Sequence, residues 1–147
     1  MFLDCVTPNT ALDRTLVAPG YQKGGVFRPQ KSLVAAGGKG LNVARAAGIL
    51  GTKGRCFGFI AGHSGSFLLD LAQQEGLESH FTRLNSGETR TSVILVDPDA
   101  GITSVINDAG APTTSDDWKR LRSTLLQRPD PGAICFCGSL PPGSPLD

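Results

Sequence analysis

The chain has 147 residues, enough for one ordinary domain with a sizeable core. Its hydrophobic fraction of 39% and charged fraction of 18% are typical of a globular protein and exclude a disordered chain. A net charge of +1 does not favour binding to nucleic acid or to an anionic membrane. The apolar runs are too short to span a bilayer. The N-terminus has no signal-peptide pattern, so a cytoplasmic location is expected.

The first half of the chain is predicted to alternate between strands and helices. Short apolar runs predict strands over 2–7, 14–17, 26–33 and 55–61. Pro8 is expected to end the first strand. Apolar periodicity predicts helices over 39–50 and 66–75. The inner face of the first helix is predicted to carry Val43, Ala46, Ala47 and Leu50.

The second half continues with a hairpin, a helix and a strand. The hairpin is predicted over 91–96 and 102–106, because Pro-Asp-Ala-Gly between them is a strong turn signal. A helix is expected from about Ser115, with Trp118, Leu121 and Leu125 facing inward. The last predicted strand is 133–137.

This order of elements predicts an α/β fold with a mainly parallel sheet. The short strands within 14–33 and 91–106 do not fit that alternation, so they are expected to form a small separate sheet. The last strand has no covering helix after it, which predicts that the chain is the front part of a larger domain.

The segment from Gly37 to Asn42 reads Gly-Gly-Lys-Gly-Leu-Asn and opens the predicted helix. Its glycines let a ligand approach the backbone, and the free N–H groups of a helix N-terminus favour an anion. Lys39 adds a positive charge, while Asn42 offers a donor and an acceptor. The pattern matches neither the P-loop nor the dinucleotide fingerprint, because glycine follows Lys39 and Val43 stands where a glycine is required. The plainer alternative is a strand-to-helix turn with a chance lysine.

Three other polar segments lie next to predicted strands. Asp13 follows the first strand, where ligands of open α/β sheets bind and a carboxylate can accept hydrogen bonds from sugar hydroxyls. Arg90 leads into the hairpin and could hold a phosphate through two hydrogen bonds. Ser139 follows the last strand within Gly-Ser-Leu-Pro-Pro-Gly. Taken singly, each has a plainer interpretation: a solvated aspartate, an exposed arginine and a terminating loop.

Taken together and in this order, these segments resemble the pfkB (ribokinase-like) family of carbohydrate kinases, and within it the phosphofructokinase-type branch. The resemblance covers the whole chain and implies one kinase domain, of which residues 1–147 are the N-terminal part, with a ribokinase-like parallel sheet and a small β-sheet lid. It implies a substrate site formed by Asp13, Gly37, Gly38, Lys39, Asn42, Arg90 and Ser139. Arg28 would be a further phosphate contact. The lid of this family often packs against a second subunit, so a homodimer is expected.

The implied reaction is ATP-dependent phosphorylation of fructose 1-phosphate, fructose 6-phosphate or tagatose 6-phosphate. The family's catalytic aspartate belongs to a Gly-Ala-Gly-Asp segment that this sequence lacks. The residues that bind ATP and Mg²⁺ are likewise expected in a C-terminal half. The 147 residues are therefore expected to supply the sugar-phosphate side of the site and to be inactive alone. Two alternatives stay open: a kinase of an unphosphorylated sugar or nucleoside, and a non-catalytic sugar-phosphate-binding module.

One segment departs from the family pattern. Asp108 and Ala109 stand where glutamate and proline are frequent after the lid. This change is expected to alter the lid edge without touching the residues assigned to the substrate.

Overall fold

The computed structural model describes residues 2–128, 130 and 132–145. The strands among these residues are β1 (Phe2–Asn9), β2 (Ala11–Val17), β3 (Lys31–Gly37), β4 (Lys53–Ile60), β5 (Glu78–Arg83), β6 (Arg90–Asp97), β7 (Ile102–Asn107) and β8 (Ala133–Phe136). The helices are α1 (Lys39–Ile49), α2 (Gly62–Gln74) and α3 (Ser115–Leu126).

The main sheet is parallel and has the strand order β5-β4-β1-β8. Neighbouring residues of its strands point to opposite faces, and each face has its own apolar core. Cys5 and Cys56 pack with Leu41 of α1 on one face. Val6 and Phe57 face the other way. That second core is closed by α3, through the residues Trp118, Leu121 and Leu125. The inward face predicted for α3 is therefore confirmed.

A second sheet has the order β3-β2-β6-β7. Its β2–β3 and β6–β7 pairs are antiparallel, while β2 and β6 run parallel. The predicted architecture, a mainly parallel α/β sheet with a small additional β-sheet, is confirmed. We call this second sheet the lid sheet. The predicted hairpin is its β6–β7 pair.

Two strand predictions need correction. β1 does not end before Pro8 but continues to Asn9, with a break in register between Thr7 and Asn9 where β1 pairs with β4. Proline has no N–H to donate, and such a bulge is a position where a central strand can accommodate it. The strand predicted over 26–33 instead occupies Lys31–Gly37. Residues 21–30 are exposed and irregular.

The fifth strand was not predicted. β5 carries Glu78, His80 and Arg83 between less polar residues, so its sequence has little of the apolar signal of a buried strand. Its pairing with β4 makes it a strand. It forms an edge of the main sheet, where charged side chains are common.

The predicted inner face of α1 is also wrong in part. Of the four predicted residues only Ala47 is buried, whereas Leu50 is 83% exposed. The buried residues are instead Gly40, Leu41, Ala44 and Ala47. A Cβ at Gly40 would overlap Oγ1 of Thr7, so this glycine lets the start of the helix touch β1. That close contact sets the rotation of the helix.

Among the residues described, no helix combines the length and the apolar character needed to cross a membrane.

Candidate functional site

The ends of several strands meet at one edge of the molecule. β1 ends at Asn9, β3 ends at Gly37 with one residue between it and the start of α1, and the segment Gly138–Ser139 follows β8. β1 and β8 are parallel neighbours, so their carboxyl ends lie side by side. In open α/β folds this edge is the usual place for a ligand. The seven residues predicted to bind substrate lie at these strand ends, in the first turn of α1 or on the adjoining lid strands β2 and β6.

Asp13 and Gly37 are in direct contact across the lid sheet. Gly37 pairs with Ala11, two residues before Asp13, so both residues lie on the same face. A Cβ at Gly37 would overlap the carboxyl group of Asp13. A glycine is thus required here for space, and the carboxylate lies over bare backbone.

The carboxyl group of Asp13 is held in a partly desolvated, cationic setting. Burial raises its pKa above the ordinary value of 3.8, and this effect outweighs the attraction of Arg90 and Arg45 and a hydrogen bond with Ser92, which all lower it. Ser92 is directly opposite Asp13 in the β2–β6 register. Asp13 is therefore a half-buried acceptor with two cations nearby.

Gly38 provides the turn from β3 into α1. Its φ of 125° lies in the region that favours glycine. A Cβ there would come within 2.7 Å of Thr7 Cγ2. Among the residues that the structure describes, no side chain caps the N-terminus of α1, so the first backbone N–H groups of the helix have no side-chain acceptor there.

The segment before Arg90 is anchored to the start of α2. The Glu88 carboxylate accepts hydrogen bonds from the backbone N–H groups of His63 and Ser64, at 3.1 and 2.8 Å. Thr89 Oγ1 accepts from Ala61 N at 2.8 Å. These contacts explain why Glu-Thr precedes the arginine: they fix the start of β6, and with it the position of Arg90.

Arg90 uses much of its hydrogen-bonding capacity on the backbone. Its Nε and Nη2 both donate to the carbonyl oxygen of Asn9, at 3.3 and 3.1 Å. Its Nη1 donates to the carbonyl oxygen of Asp108 at 3.3 Å. One N–H remains on each terminal nitrogen for a ligand. Asp108 and Ala109 were expected to leave the residues assigned to the substrate untouched. The hydrogen bond from Arg90 to the carbonyl oxygen of Asp108 shows that this expectation is wrong.

Asn9 joins Arg90 to the segment after β8. Besides accepting from Arg90, Asn9 donates through Nδ2 to Ser139 Oγ at 3.3 Å and to the carbonyl oxygen of Ala109 at 3.1 Å. Lys39 is close to this segment too, because a Cβ at Gly138 would be 3.9 Å from Lys39 Cβ. The structure thus brings Arg90, Ser139 and Lys39 to one place, although none of them is adjacent in sequence.

Asn42 is exposed on α1 and contacts an arginine that the sequence analysis did not assign to the site. Its Oδ1 accepts a hydrogen bond from Arg45 Nη1 at 2.7 Å. The signal for Arg45 was its position three residues after Asn42, which places both on one side of a helix. The sequence analysis also missed Asn9 and Ser92, whose relevance depends on contacts across strands. Arg28 lies in the exposed segment 21–30.

A small cavity beside Arg90 is not the predicted site. Its volume is about 10 Å³, which holds one water molecule at most. Of the seven predicted residues only Arg90 lines it, with Asn9, Phe59 and Pro141 among the other walls. The candidate site is the open strand-end surface around Asp13 and Lys39.

The geometry agrees with a comparison of the sequence with family models. The model described as pfkB family carbohydrate kinase matches residues 7–147. The chain belongs to the pfkB family. Within it, the chain is 34% identical to the 1-phosphofructokinase of Haloferax volcanii over 142 residues, which are 96% of this chain and 45% of that protein. It is 30% identical to the 1-phosphofructokinase of Escherichia coli K12, over 94% of this chain and 44% of that protein.

Solved structures of pfkB proteins have the same fold. Phosphofructokinase-2 from Escherichia coli, in complex with fructose-6-phosphate, superposes with a TM-score of 0.88 at 26% identity. That match covers 99% of this chain and 47% of the other. A tetrameric inhibited form of the same enzyme gives a TM-score of 0.87, again at 26% identity. The chain therefore spans less than half the length of the relatives that it matches.

Proposed function

We propose that the full-length protein transfers the γ-phosphoryl group of ATP to a hydroxyl of a ketohexose phosphate, with fructose 1-phosphate the first candidate. The observation that carries this is that the half-buried carboxylate of Asp13 lies against the bare backbone of Gly37 with Arg90 nearby, while Lys39 lies at the adjoining start of α1 beside Gly138. Its curated relatives named 1-phosphofructokinase support the choice of fructose 1-phosphate over the 6-phosphates of fructose and tagatose.

Each group has a chemical task in this proposal. An ionised Asp13 accepts hydrogen bonds from two sugar hydroxyls and so orients the ring. Lys39 and the free N–H groups of Arg90 counter the charge of the phosphate that the sugar already carries. Ser139 and Asn42 hold further sugar oxygens. Orientation of this kind is a large part of phosphoryl-transfer catalysis, because little covalent chemistry is required of the protein.

ATP and Mg²⁺ are expected to bind mainly through another part of the protein. The described residues contain no group of three or more His, Cys, Asp or Glu side chains that could hold a metal ion. When bound, Mg²⁺ neutralises charge on the transferred phosphoryl group. The general base is likewise assigned to a Gly-Ala-Gly-Asp segment outside these 147 residues.

The test is a coupled kinase assay of the full-length gene product with fructose 1-phosphate, fructose 6-phosphate and tagatose 6-phosphate. We expect turnover with one of the three. An Arg90→Met variant should raise the KM for that substrate by about 10-fold or more, since a charge-assisted hydrogen bond is lost. Arg122→Met, which changes an exposed arginine on α3, is the matched control and should leave KM unchanged.

Other outcomes would point to the alternatives. Turnover only with an unphosphorylated sugar or nucleoside, at a KM insensitive to Arg90→Met, would identify a ribokinase-type enzyme. Tight binding of a sugar phosphate without any turnover would identify a binding module. Either result contradicts the proposed function.

A homodimer through the lid sheet is part of the proposal. The lid sheet and its loops expose apolar residues, with Ile106 at 69%, Ile102 at 58% and Val105 at 53%. Leu95 and Ile106 also line an apolar hollow of about 220 Å³ with Tyr21 and Phe27. Exposed apolar patches of this kind are typical of interfaces. Ile106→Asp should lower the mass measured by sedimentation from dimer to monomer; an unchanged mass would contradict the lid interface.

A further inference from the structure

The side chain of Arg45 is fixed by contacts to three different parts of the fold. Nη2 donates to the carbonyl oxygen of Ala36 at 2.6 Å, at the end of β3. Nε and Nη2 donate to the Glu75 carboxylate beyond α2, at 2.5 and 3.0 Å. Nη1 is left to donate to Asn42 Oδ1 at 2.7 Å. A planar guanidinium with this many bonds has little freedom to rotate.

The contact with Asn42 decides how the amide of that residue is turned. Arginine has only donors, whereas the asparagine amide has an acceptor on one arm and two donors on the other. The oxygen arm must therefore face Arg45, and the Nδ2 arm faces away from it. Without Arg45 the amide of the exposed Asn42 could flip, at little cost, and present its oxygen instead.

The orientation matters because of what the site is proposed to bind. A sugar phosphate is rich in oxygen acceptors, so an Nδ2 group pointing outward can donate to it, whereas an Oδ1 atom there would repel a phosphate. Glu75 pairs with Arg45 and reduces the net charge that Arg45 presents to a phosphate, so the arginine can orient the amide without acting as a second phosphate anchor. Arg90, by contrast, is proposed to bind the phosphate directly.

We propose that Arg45 is a positioning residue, which holds the Asn42 amide with Nδ2 directed toward the sugar phosphate. This inference rests on the proposed function and names a residue that acts through Asn42 rather than by touching substrate.

The test measures steady-state kinetics of the full-length enzyme with Arg45→Met, Asn42→Ala and the double variant. Arg45→Met should raise the KM for the sugar phosphate about 10-fold and leave the KM for ATP unchanged, as expected when one hydrogen bond to an anionic ligand is lost. Measured at a pH well above the pKa of Asp13, so that loss of the Arg45 charge does not protonate that carboxylate, the double variant should be no worse than Asn42→Ala alone, because Arg45 then has nothing left to orient.

Two further variants separate positioning from stability. Glu75→Gln removes the ion pair with Arg45 but keeps the bond from Arg45 to Asn42, so KM should stay near the wild-type value even if the melting temperature falls. Arg45→Lys also presents only donors and should recover part of the lost affinity. Arg45→Lys keeps the test decisive if Arg45→Met does not fold.

The outcomes distinguish this inference from the proposed function. A wild-type enzyme that phosphorylates none of the three ketohexose phosphates overturns both. An active wild-type enzyme with a KM unchanged in Arg45→Met, or raised equally in Glu75→Gln, overturns the inference alone. Additive losses in the double variant would also overturn it, since they show that Arg45 does not act through Asn42.

Discussion

At the scale of single residues, the proposed site includes a carboxylate whose ionised form is costly to keep partly buried. Asp13 lies where burial raises its pKa, yet the proposed function requires its ionised form. Arg90 and Arg45 reduce this cost, and Gly37 provides the room. Such a conflict between stability and charge is common at functional sites.

The Asp13→Asn variant should show both sides of this conflict. Because the pKa of Asp13 is higher in the folded than in the unfolded chain, its contribution to stability decreases as pH rises above 3.8 and through the raised pKa. Removing the charge should therefore keep or raise the melting temperature at pH 7. The KM for the sugar phosphate should rise about 10-fold or more, since an acceptor is lost. A lower melting temperature with an unchanged KM would contradict this role.

Acid should weaken sugar-phosphate binding in the wild-type enzyme for the same reason. As pH falls through the raised pKa of Asp13, the carboxylate is protonated and loses acceptor strength. The increase in KM should thus begin above pH 3.8, and it should be flatter in Asp13→Asn. Titration of the ligand's own phosphate is controlled by comparing the two enzymes at each pH.

At the scale of elements, helix α2 is held by a residue of the segment that leads to Arg90. The Glu88 carboxylate lies at the N-terminus of α2, where backbone N–H groups and the helix dipole favour a negative charge. Hydrogen bonds from the Ser64 hydroxyl, and then from the backbone of Ser64 and His63, lower the pKa of Glu88 from 4.5 to about 2. This contact couples α2 to the start of β6.

The pH dependence of stability should reveal this contact. A depressed carboxyl pKa stabilises the fold fully above pH 4.5, and the gain is lost as pH falls from 4.5 to about 2. Glu88→Gln should lower the melting temperature at pH 7 and flatten its dependence on pH in that window. Glu78→Gln, which changes an exposed glutamate of β5, serves as control and should retain the wild-type slope. Equal slopes in wild type and Glu88→Gln would contradict the role of Glu88.

At the scale of the whole molecule, a buried ion cluster connects the first strand to the segment between α3 and β8. Asp4 of β1 is fully buried and accepts from Arg55 of β4 at 2.7 Å. Arg128, which follows α3, lies 2.6 Å from the other Asp4 oxygen, a contact of opposite charges without hydrogen-bond geometry. Arg55 also donates to the carbonyl oxygen of Asp130 at 2.7 Å. The cluster thus fixes the path of the chain into β8.

Asp4→Asn should destabilise the protein strongly. The change leaves two buried guanidinium groups without a counter-charge, and loss of one partner from a buried ion pair costs about 3 kcal/mol or more. Asp116→Asn is the matched control: it removes the acid of the Lys119–Asp116 pair, which is 77% and 84% exposed, and should change little. Urea unfolding of both variants measures the difference. Similar midpoints for the two would contradict the importance of the cluster.

The 147-residue chain expressed alone is expected to have no kinase activity, because it lacks the Gly-Ala-Gly-Asp segment. β8 is an edge of the parallel sheet in the described residues and exposes Phe136 at 69% and Ile134 at 41%, so poor solubility is also expected. Phosphorylation of a ketohexose phosphate by the purified chain, with host kinases excluded, would contradict the expected lack of kinase activity. A sharp melting transition of a soluble monomer would contradict the expected poor solubility.

The sequence alone determined what depends on neighbouring residues. The turn at 98–101, the start of α3 and the passage from glycines into α1 are local signals, and all of them are confirmed. The four motifs that resemble the pfkB family were likewise readable, because each is a short continuous segment.

Only the tertiary structure decided what depends on contacts between distant segments. The rotation of α1 is set by Gly40 against Thr7, β5 exists because β4 offers it a pairing edge, and Asn9 meets Ser139 across 130 positions of sequence. No local pattern encodes these distances, since each results from burial and pairing of the whole fold. For the same reason, the hydrogen-bond partners of Arg90 and Arg45 could be identified only from the tertiary structure.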